Sequence, residues 1–309
     1  MSLRHNFQVF ETQARYASDL VHWVEGSGPV FDQPRPLAHA LENTLEINLL
    51  DAPLKIDPES ILLTDRTPSD LTLTHKTGVM ILWRLNANDS KTLISAHAKN
   101  SSADARTRPL ETAYKVSGTI SDQQKRVNPR EFNLVDVGNF IDVSDPLAKG
   151  HEVKLYRSPM GTQMGSLGGV QGRIQWDTGE IASWAIITCE VTLKHTTGTH
   201  SYSAQADING DFRLAFASLP FPKKEDDSRP PYACTLTVSA LKSASQQKWH
   251  QPDDFVTAEL KELVGDDEEG EDEDEDEFSE SIDFDFFTGK IQRLKSMGSD
   301  AFLIIKETE

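Results

Sequence analysis

Cysteine is scarce in this chain, since its 309 residues include only Cys189 and Cys234. Two cysteines cannot build the disulfide framework on which small secreted domains depend. Long apolar runs are also lacking, and none approaches the roughly eighteen residues that cross a membrane as a helix. The first residues have no apolar core followed by a small-residue cleavage site, so we expect no signal peptide. These features predict a cytoplasmic protein, or one assembled in the cytoplasm and released within a larger assembly.

Basic residues are also scarce. The chain has 31 lysines and arginines and 49 aspartates and glutamates, which gives a formal net charge of −18. Eleven of these acids stand within the twelve residues 266–277, which we call the acidic run. Net acidity argues against nucleic acid as a partner, since the phosphate backbone would be repelled. Like charges at this density resist packing, so the sequence predicts that residues 246–309 form an acidic tail outside the folded domains.

Alternating apolar and polar residues, punctuated by prolines, fill most of the remaining sequence. Alternation with a period of two indicates β-strands, and the prolines leave no room for long helices. We therefore predict a mostly β fold with two sandwich-like domains, 41–157 and 158–245. An arm and linker, 1–40, would precede them. Apolar spacing over residues 10–24 fits either a short helix ending at Gly26 or an irregular arm.

The second predicted domain shows the clearest strands. Its predicted inward side chains are Val170, Gly172, Ile174, Trp176, Ala185, Ile187, Cys189, Val191, Leu193, Tyr202, Ala204, Ala206, Phe212, Leu214, Phe216, Cys234, Leu236, Val238 and Ala240. Trp184 has the opposite parity and is predicted to face outward. Both cysteines fall on inward faces, and we expect them to be buried, reduced neighbours in one core.

The sequence DINGD, residues 207–211, is predicted to turn a hairpin in this domain. A two-residue loop at Asn209 and Gly210 would send Phe212 to the solvent, because a slip of one residue turns every side chain over. We therefore predict an odd loop of three or five residues, with Gly210 at positive φ and a bulge. Asp207, Asn209 and Gly210 are structural residues in this prediction, with the Asp207 carboxylate accepting hydrogen bonds from turn amides.

Six glycines in residues 158–180 raise the question of a catalytic loop around Ser166. A phosphate-binding loop needs a lysine after its second glycine, and none stands there. A nucleophile elbow needs glycine where Met164 stands, and a helix rather than a strand after it. We therefore predict a connector, with no catalytic residue and no enzyme activity.

Histidines close to predicted turns are the remaining candidates for metal ligands. His195 and His200 lie five residues apart, and His151 precedes Glu152. Neither pair supplies the three or four convergent ligands that a zinc site needs. We therefore predict no metal and no cofactor.

The pattern GRIQWDTGEIASWAIITC, followed by AQADINGDFRL, resembles the carboxypeptidase-regulatory-like domain, a transthyretin-like β-sandwich. The matching positions are Gly172, Ile174, Asp177, Gly179 and Ala185 at its opening, with one extra residue between Ile174 and Asp177, and Ala206, Asp207, Gly210 and Phe212 at its close. This resemblance covers residues 168–241 and implies a sandwich without implying a function. Residues 116–134 echo the pattern, which suggests a similar strand pair in the first domain.

The whole chain also resembles uncharacterised proteins that accompany phage-tail-like contractile injection machines in bacteria. The shared features are the phrases RVNPREFNL and VKLYRSP, followed by the regulatory-like domain. This resemblance implies a component or accessory of such an assembly.

The segment after residue 245 combines acids with aromatic residues. Residues 256–265 fit two turns of helix, and the final apolar residues predict a strand that adds to a sheet edge in this chain or in a partner. The predicted partner-binding residues are Phe278, Ile282, Phe284, Phe286 and Phe287. Acidic-aromatic segments of this kind dock on basic, grooved partners, although a solubilising spacer explains the composition as well.

Together these observations predict a non-enzymatic structural or adaptor protein whose partner is a protein with a basic surface. No nucleic acid and no membrane span are expected. Two alternatives stay open. One is a surface- or carbohydrate-binding protein that uses the sandwich loops, and the other is a chaperone or loading factor that holds a basic cargo through the acidic tail.

Overall fold

The protein is mostly β, and its strands alternate buried and exposed side chains along much of their length. A computed structural model describes residues 15–31, 35–37, 44–49, 71–76, 79–85, 114–137, 151–192, 198–219, 231–245, 247–248, 250–263 and 277–308. In these ranges the helical elements are two 3-10 turns, Lys242–Ala244 and Pro252–Asp254. No helix in the described part of the chain is long and apolar enough to cross a membrane.

Eighteen strands are described in these ranges. The first eight are β1 (Arg15–Glu25), β2 (Gly28–Pro29), β3 (Leu45–Leu49), β4 (Leu71–Lys76), β5 (Val79–Leu85), β6 (Tyr114–Asp122), β7 (Arg130–Val137) and β8 (His151–Leu155). The others are β9 (Gly168–Trp176), β10 (Ile186–Thr192), β11 (Thr199–Gln205), β12 (Asp211–Ala215), β13 (Tyr232–Ala240), β14 (Val256–Lys261), β15 (Phe278–Ser279), β16 (Ile282–Phe286), β17 (Lys290–Arg293) and β18 (Leu303–Glu307).

The chain divides into two compact units, and neither is continuous in sequence. Unit 1 comprises Met1–His22, Leu49–Ser117 and Asn133–Val153, and unit 2 comprises Trp23–Asn48, Gly118–Phe132 and Lys154–Glu309. The predicted boundaries after residues 40, 157 and 245 are therefore wrong. Segments far apart in sequence join unit 2 through bonds such as the one from the Asn128 amide to the Tyr156 carbonyl, 2.9 Å, and local alternation carries no sign of such distant bonds.

A four-stranded sheet has the order β4-β5-β1-β8, and a three-stranded sheet has the order β3-β6-β7. β4 and β5 form an antiparallel hairpin, in which Leu71 pairs with Arg84 and Lys76 with Val79. The predicted helix or irregular arm over residues 10–24 is wrong from Arg15 onward, where β1 runs antiparallel to β5. Pairing with a neighbouring strand overrides apolar spacing that also suits a helix.

Unit 2 is built on a sheet of order β12-β9-β18-β14-β13-β10-β11-β2. Its core contains the predicted inward residues of β9 to β13 that are described, apart from the half-buried Gly172, and it includes both cysteines, which are free thiols. Leu193 lies outside the described residues. Trp184 was predicted to face outward, but it is buried, because it precedes β10 and its backbone takes a positive φ of 67°.

The segment predicted to be a tail supplies strands to this sheet. β14 and β16 share one edge of β13, where β16 pairs with its first half and β14 with its second half. β17 and β18 both pair with β9 in parallel. The strand predicted at the C-terminus is confirmed, and its partners are strands of the same chain. The predicted helix at 256–265 is wrong over Val256–Lys261, which form β14. Residues 264–276, which hold most of the acidic run, lie outside the described residues.

The turn at residues 207–211 has the predicted odd loop, formed by Ile208, Asn209 and Gly210. The Asp207 amide donates to the Asp211 carbonyl, and Gly210 has a φ of 75°. The Asp207 carboxylate accepts hydrogen bonds from the amides of Asn209 and Asp211, at 2.8 and 3.1 Å. The structural role predicted for Asp207, Asn209 and Gly210 follows from this geometry.

The echo of this turn at residues 116–134 also has a carboxylate at its centre. Asp122 ends β6, and its side chain accepts hydrogen bonds from the amides of Gln124, Arg126 and Val127. β6 and β7 are neighbours in the three-stranded sheet, so the predicted strand pair is present.

Replacing Gly210 with valine should lower the free energy of unfolding by about 1–3 kcal/mol, because a β-branched residue is strained at positive φ. An added Cβ would also lie 2.6 Å from the Ile174 carbonyl oxygen. Asp211→Ala is the matched control, since it removes an exposed ion pair with Arg173 that is worth about 0–1 kcal/mol. Equal losses in chemical denaturation of both variants would contradict the turn assignment.

Removing residues 266–309 should abolish the cooperative melting of unit 2. The deletion takes away five buried apolar side chains, Ile282, Phe286, Leu294, Leu303 and Ile305. At about 1.5–3 kcal/mol each, their burial is comparable with the whole stability of a typical domain. The control replaces only residues 266–276 with a glycine–serine linker of equal length, and calorimetry should find its melting temperature nearly unchanged. A truncated chain that melts like the full chain would show that β15–β18 do not stabilise the fold.

Candidate functional site

Four polar side chains, Asn128, Arg130, Gln205 and His250, are almost fully buried together in unit 2. They come from the entry to β7, from the end of β11 and from the segment between β13 and β14. We call them the polar cluster. Buried polar groups are costly unless they are hydrogen-bonded, so the partners of each member decide what the cluster does.

The hydrogen bonds of Asn128 fix the orientation of the neighbouring side chains. Its Nδ2 donates to the backbone carbonyls of Gln205 and Ala206, at 3.4 and 3.0 Å, and to Gln205 Oε1 at 3.2 Å. Because carbonyl oxygens only accept, the Asn128 amide nitrogen must face them. Gln205 then turns its own amide nitrogen toward His250 Nε2, 2.8 Å away.

This arrangement selects one neutral tautomer of His250. The Gln205 amide nitrogen is a donor, so His250 Nε2 must accept, and the ring proton lies on Nδ1. His250 Nδ1 is buried and has no hydrogen-bond partner among the described residues. Burial lowers the pKa of His250 to about 3, and the nearby positive charge of Arg130 acts in the same direction.

Two aromatic rings stack on His250. Trp184 stacks on it with ring centroids 4.5 Å apart and an interplanar angle of 11°, and Phe255 lies 5.9 Å away. The Trp184 indole donates to the Gln247 carbonyl at 2.9 Å. The positive φ of Trp184 thus belongs to a backbone turn that holds this ring against His250.

Arg130 links β8 and the 3-10 turn Pro252–Asp254 to the cluster. Its guanidinium donates to the backbone carbonyls of Glu131 and Lys154 and pairs with the Asp253 carboxylate at 3.0 Å. Burial lowers the pKa of Arg130, and the Asp253 carboxylate opposes this effect. The Glu131 amide completes the connection by donating to the His250 carbonyl at 2.8 Å.

The polar atoms of this cluster are therefore used mainly to hold segments of one unit together. His250 Nε2 is occupied by Gln205, and the donors of Arg130 are directed at carbonyls and at Asp253. Among the described residues, no group of three or more histidine, cysteine, aspartate or glutamate side chains could hold a metal ion. The geometry therefore supports a structural role, in which the polar cluster joins strands of unit 2.

The phenylalanines predicted to bind a partner have different environments. Phe286 is 0% exposed and Ile282 is 7% exposed, so the docking prediction is wrong for these two residues. Phe284 packs against the same core. Phe278 is half-buried beside Lys306, and Phe287, 37% exposed, lies beside Lys290. The alternation IDFDF, in which Asp283 and Asp285 point outward, was the signal that these residues form a strand with a buried face.

The other candidate residues occupy ordinary positions. Ser166 is exposed in a connector, where the Gly168 amide donates to the Gly165 carbonyl. His151 begins β8, and His200 is exposed on β11. His195 lies outside the described residues.

Sequence reasoning missed the polar cluster, although the phrase RVNPREFNL contains Asn128 and Arg130. The informative signal was an asparagine and an arginine among apolar neighbours at the entry to a strand. No pattern in the sequence connects them with His250, more than one hundred residues further along the chain.

A scan against protein-family models finds no match for this chain, and a search of curated proteins finds none either.

Asn128→Ala should lower the free energy of unfolding by about 1–3 kcal/mol, because it leaves Gln205 Oε1 and the Ala206 carbonyl without their donor. Asn48→Ala is a matched control on an exposed position of β3, where the change should stay within about 0.5 kcal/mol. Chemical denaturation of both variants measures the difference. Equal effects would contradict the role of Asn128 as the residue that orders the cluster.

Proposed function

We propose that this chain is a non-enzymatic structural or adaptor protein that presents its acidic run to a protein partner with a basic surface. The observation that carries the proposal is the anchoring of the acidic run. β14 precedes it and β15 follows it, and these strands pair through Leu260 with Ser279 and Lys261 with Phe278. The Glu262 amide also donates to the Glu277 carbonyl. The acidic run therefore leaves and re-enters one sheet at the same place.

Anchoring at both ends changes what the acidic run offers to a partner. A free tail with eleven acids would lose much conformational entropy on binding, whereas a run tethered at both ends has less to lose. Its charges act over about 8 Å at physiological ionic strength, so they accelerate encounter with a basic surface more than they hold the complex.

The polar cluster supports the non-enzymatic part of the proposal. Its side chains are engaged with one another and with backbone carbonyls, and this arrangement serves stability and the joining of segments. Unit 2 is a β-rich body to which the acidic run is joined at both ends, a form suited to an adaptor.

The resemblance to proteins that accompany contractile injection machines supports a place in such an assembly. In that setting the protein would be made in the cytoplasm and carried within the released particle. The anchored acidic run also suits a loading factor that holds a basic cargo before assembly, and the two roles differ in whether the protein stays in the particle.

The test is affinity purification from the native host, followed by binding kinetics with the recovered partner. One variant replaces the eleven acids of residues 266–277 with asparagine and glutamine, and a second variant shuffles the twelve residues at constant charge. Neutralisation should slow association at least about tenfold and should remove its salt dependence, because the charges drive encounter. The shuffled variant should bind like the natural chain.

Partner capture that is unchanged by neutralisation would contradict the proposed role of the acidic run. Loss of binding in the shuffled variant would show that a specific sequence, rather than charge, is recognised. Presence of the chain in purified particles would favour the structural role, and its absence would favour the loading factor.

A further inference from the structure

His250 cannot accept a second ring proton and also keep its present hydrogen bond with Gln205. Gln205 directs an amide nitrogen at His250 Nε2 from 2.8 Å, and the orientation of Gln205 is set by Asn128. Adding a proton to Nε2 would place two donors face to face. The hydrogen bond would become a repulsive contact between groups that are both buried.

We infer that His250 is a proton-sensitive latch, whose protonation releases residues 250–255 from the polar cluster while the sandwich of unit 2 stays folded. The titratable groups on the elements around it are Arg130 and Glu131 on β7, Asp253 in the 3-10 turn that follows His250, and Tyr156 after β8. Arg130 is the charge that acts on His250 directly, and it opposes a second positive charge.

Release can be local because residues 250–255 lie outside the apolar core of unit 2. Their contacts include the hydrogen bond of His250 with Gln205, the stacking of its ring on Trp184, the bond from the Glu131 amide and the Arg130–Asp253 pair. The core strands have denser connections, since β10 pairs with β11 and β13 through seven registered positions on each side. Segments with few contacts open at a lower free energy than core strands.

The direction of the pH effect follows from the two states of His250. In the closed state burial holds the pKa of His250 at about 3, whereas a released histidine returns to about 6.5. The closed state is therefore fully favoured above pH 6.5 and loses its advantage as the pH falls toward 3. Each pH unit in this window multiplies the opening equilibrium about tenfold.

Hydrogen exchange at the Glu131 amide reports the latch directly, because that amide donates to the His250 carbonyl at 2.8 Å. Its protection factor should fall about 30-fold between pH 7.5 and 5.0, after correction for the intrinsic exchange rate. Most carboxylates remain ionised above pH 5, so they contribute little in this range. The amides of Cys189 and Val191 in β10 are the internal control, and their protection should not change.

His250→Gln is the matched variant, since glutamine offers an oxygen to the Gln205 amide and does not titrate. Protection of Glu131 in this variant should be independent of pH. The natural chain supplies a second measurement if the variant fails to fold, because NMR can follow the His250 ring through its contact with Trp184. Its titration should lie well below pH 6.5.

Three results would overturn the latch. One is a His250 ring that titrates near 6.5 while the Glu131 amide stays protected. Another is equal acid sensitivity of Glu131 in the natural chain and in His250→Gln. The third is a parallel loss of protection in β10, which would mean that protonation unfolds unit 2 as a whole.

Discussion

Strand β13 is the element on which unit 2 depends, because it is paired along both edges and buried at every second residue. Tyr232, Cys234, Leu236, Val238 and Ala240 point into the core. β10 covers one edge, and β14 and β16 divide the other. A strand with both edges paired has no exposed backbone to recruit another chain. The cost is that strands from beyond the acidic run are needed to complete the fold.

That requirement explains the position of the acidic run. Strands β14 and β15 meet beside the core, so eleven carboxylates are attached to the folded body at two neighbouring points rather than at a loose end. After the acidic run, the alternation of Ile282, Phe284 and Phe286 with Asp283 and Asp285 returns the chain to the apolar interior. Stability and the proposed contact with a basic partner thus come from adjacent parts of one segment.

The polar cluster complements the apolar core by specifying which segments meet. Two backbone carbonyls orient Asn128, Asn128 orients Gln205, and Gln205 selects the tautomer of His250. Each step depends on burial, because in water the same groups would exchange partners freely. In the proposed latch, this order depends on a neutral His250, because a proton on Nε2 would face the amide nitrogen of Gln205.

The sequence by itself determined the class of the fold, the inward faces of β9 to β13 and the odd loop at Gly210, because side-chain period and φ preference are local properties. The alternation over residues 282–286 also marks one face with Ile282, Phe284 and Phe286, although these residues were predicted to bind a partner. Only the tertiary structure decided what covers that face, since alternation marks a surface to be buried without naming its partner. The strand at Val256–Lys261 and the neutral state of His250 were decided in the same way, by pairing and burial among residues distant in the chain.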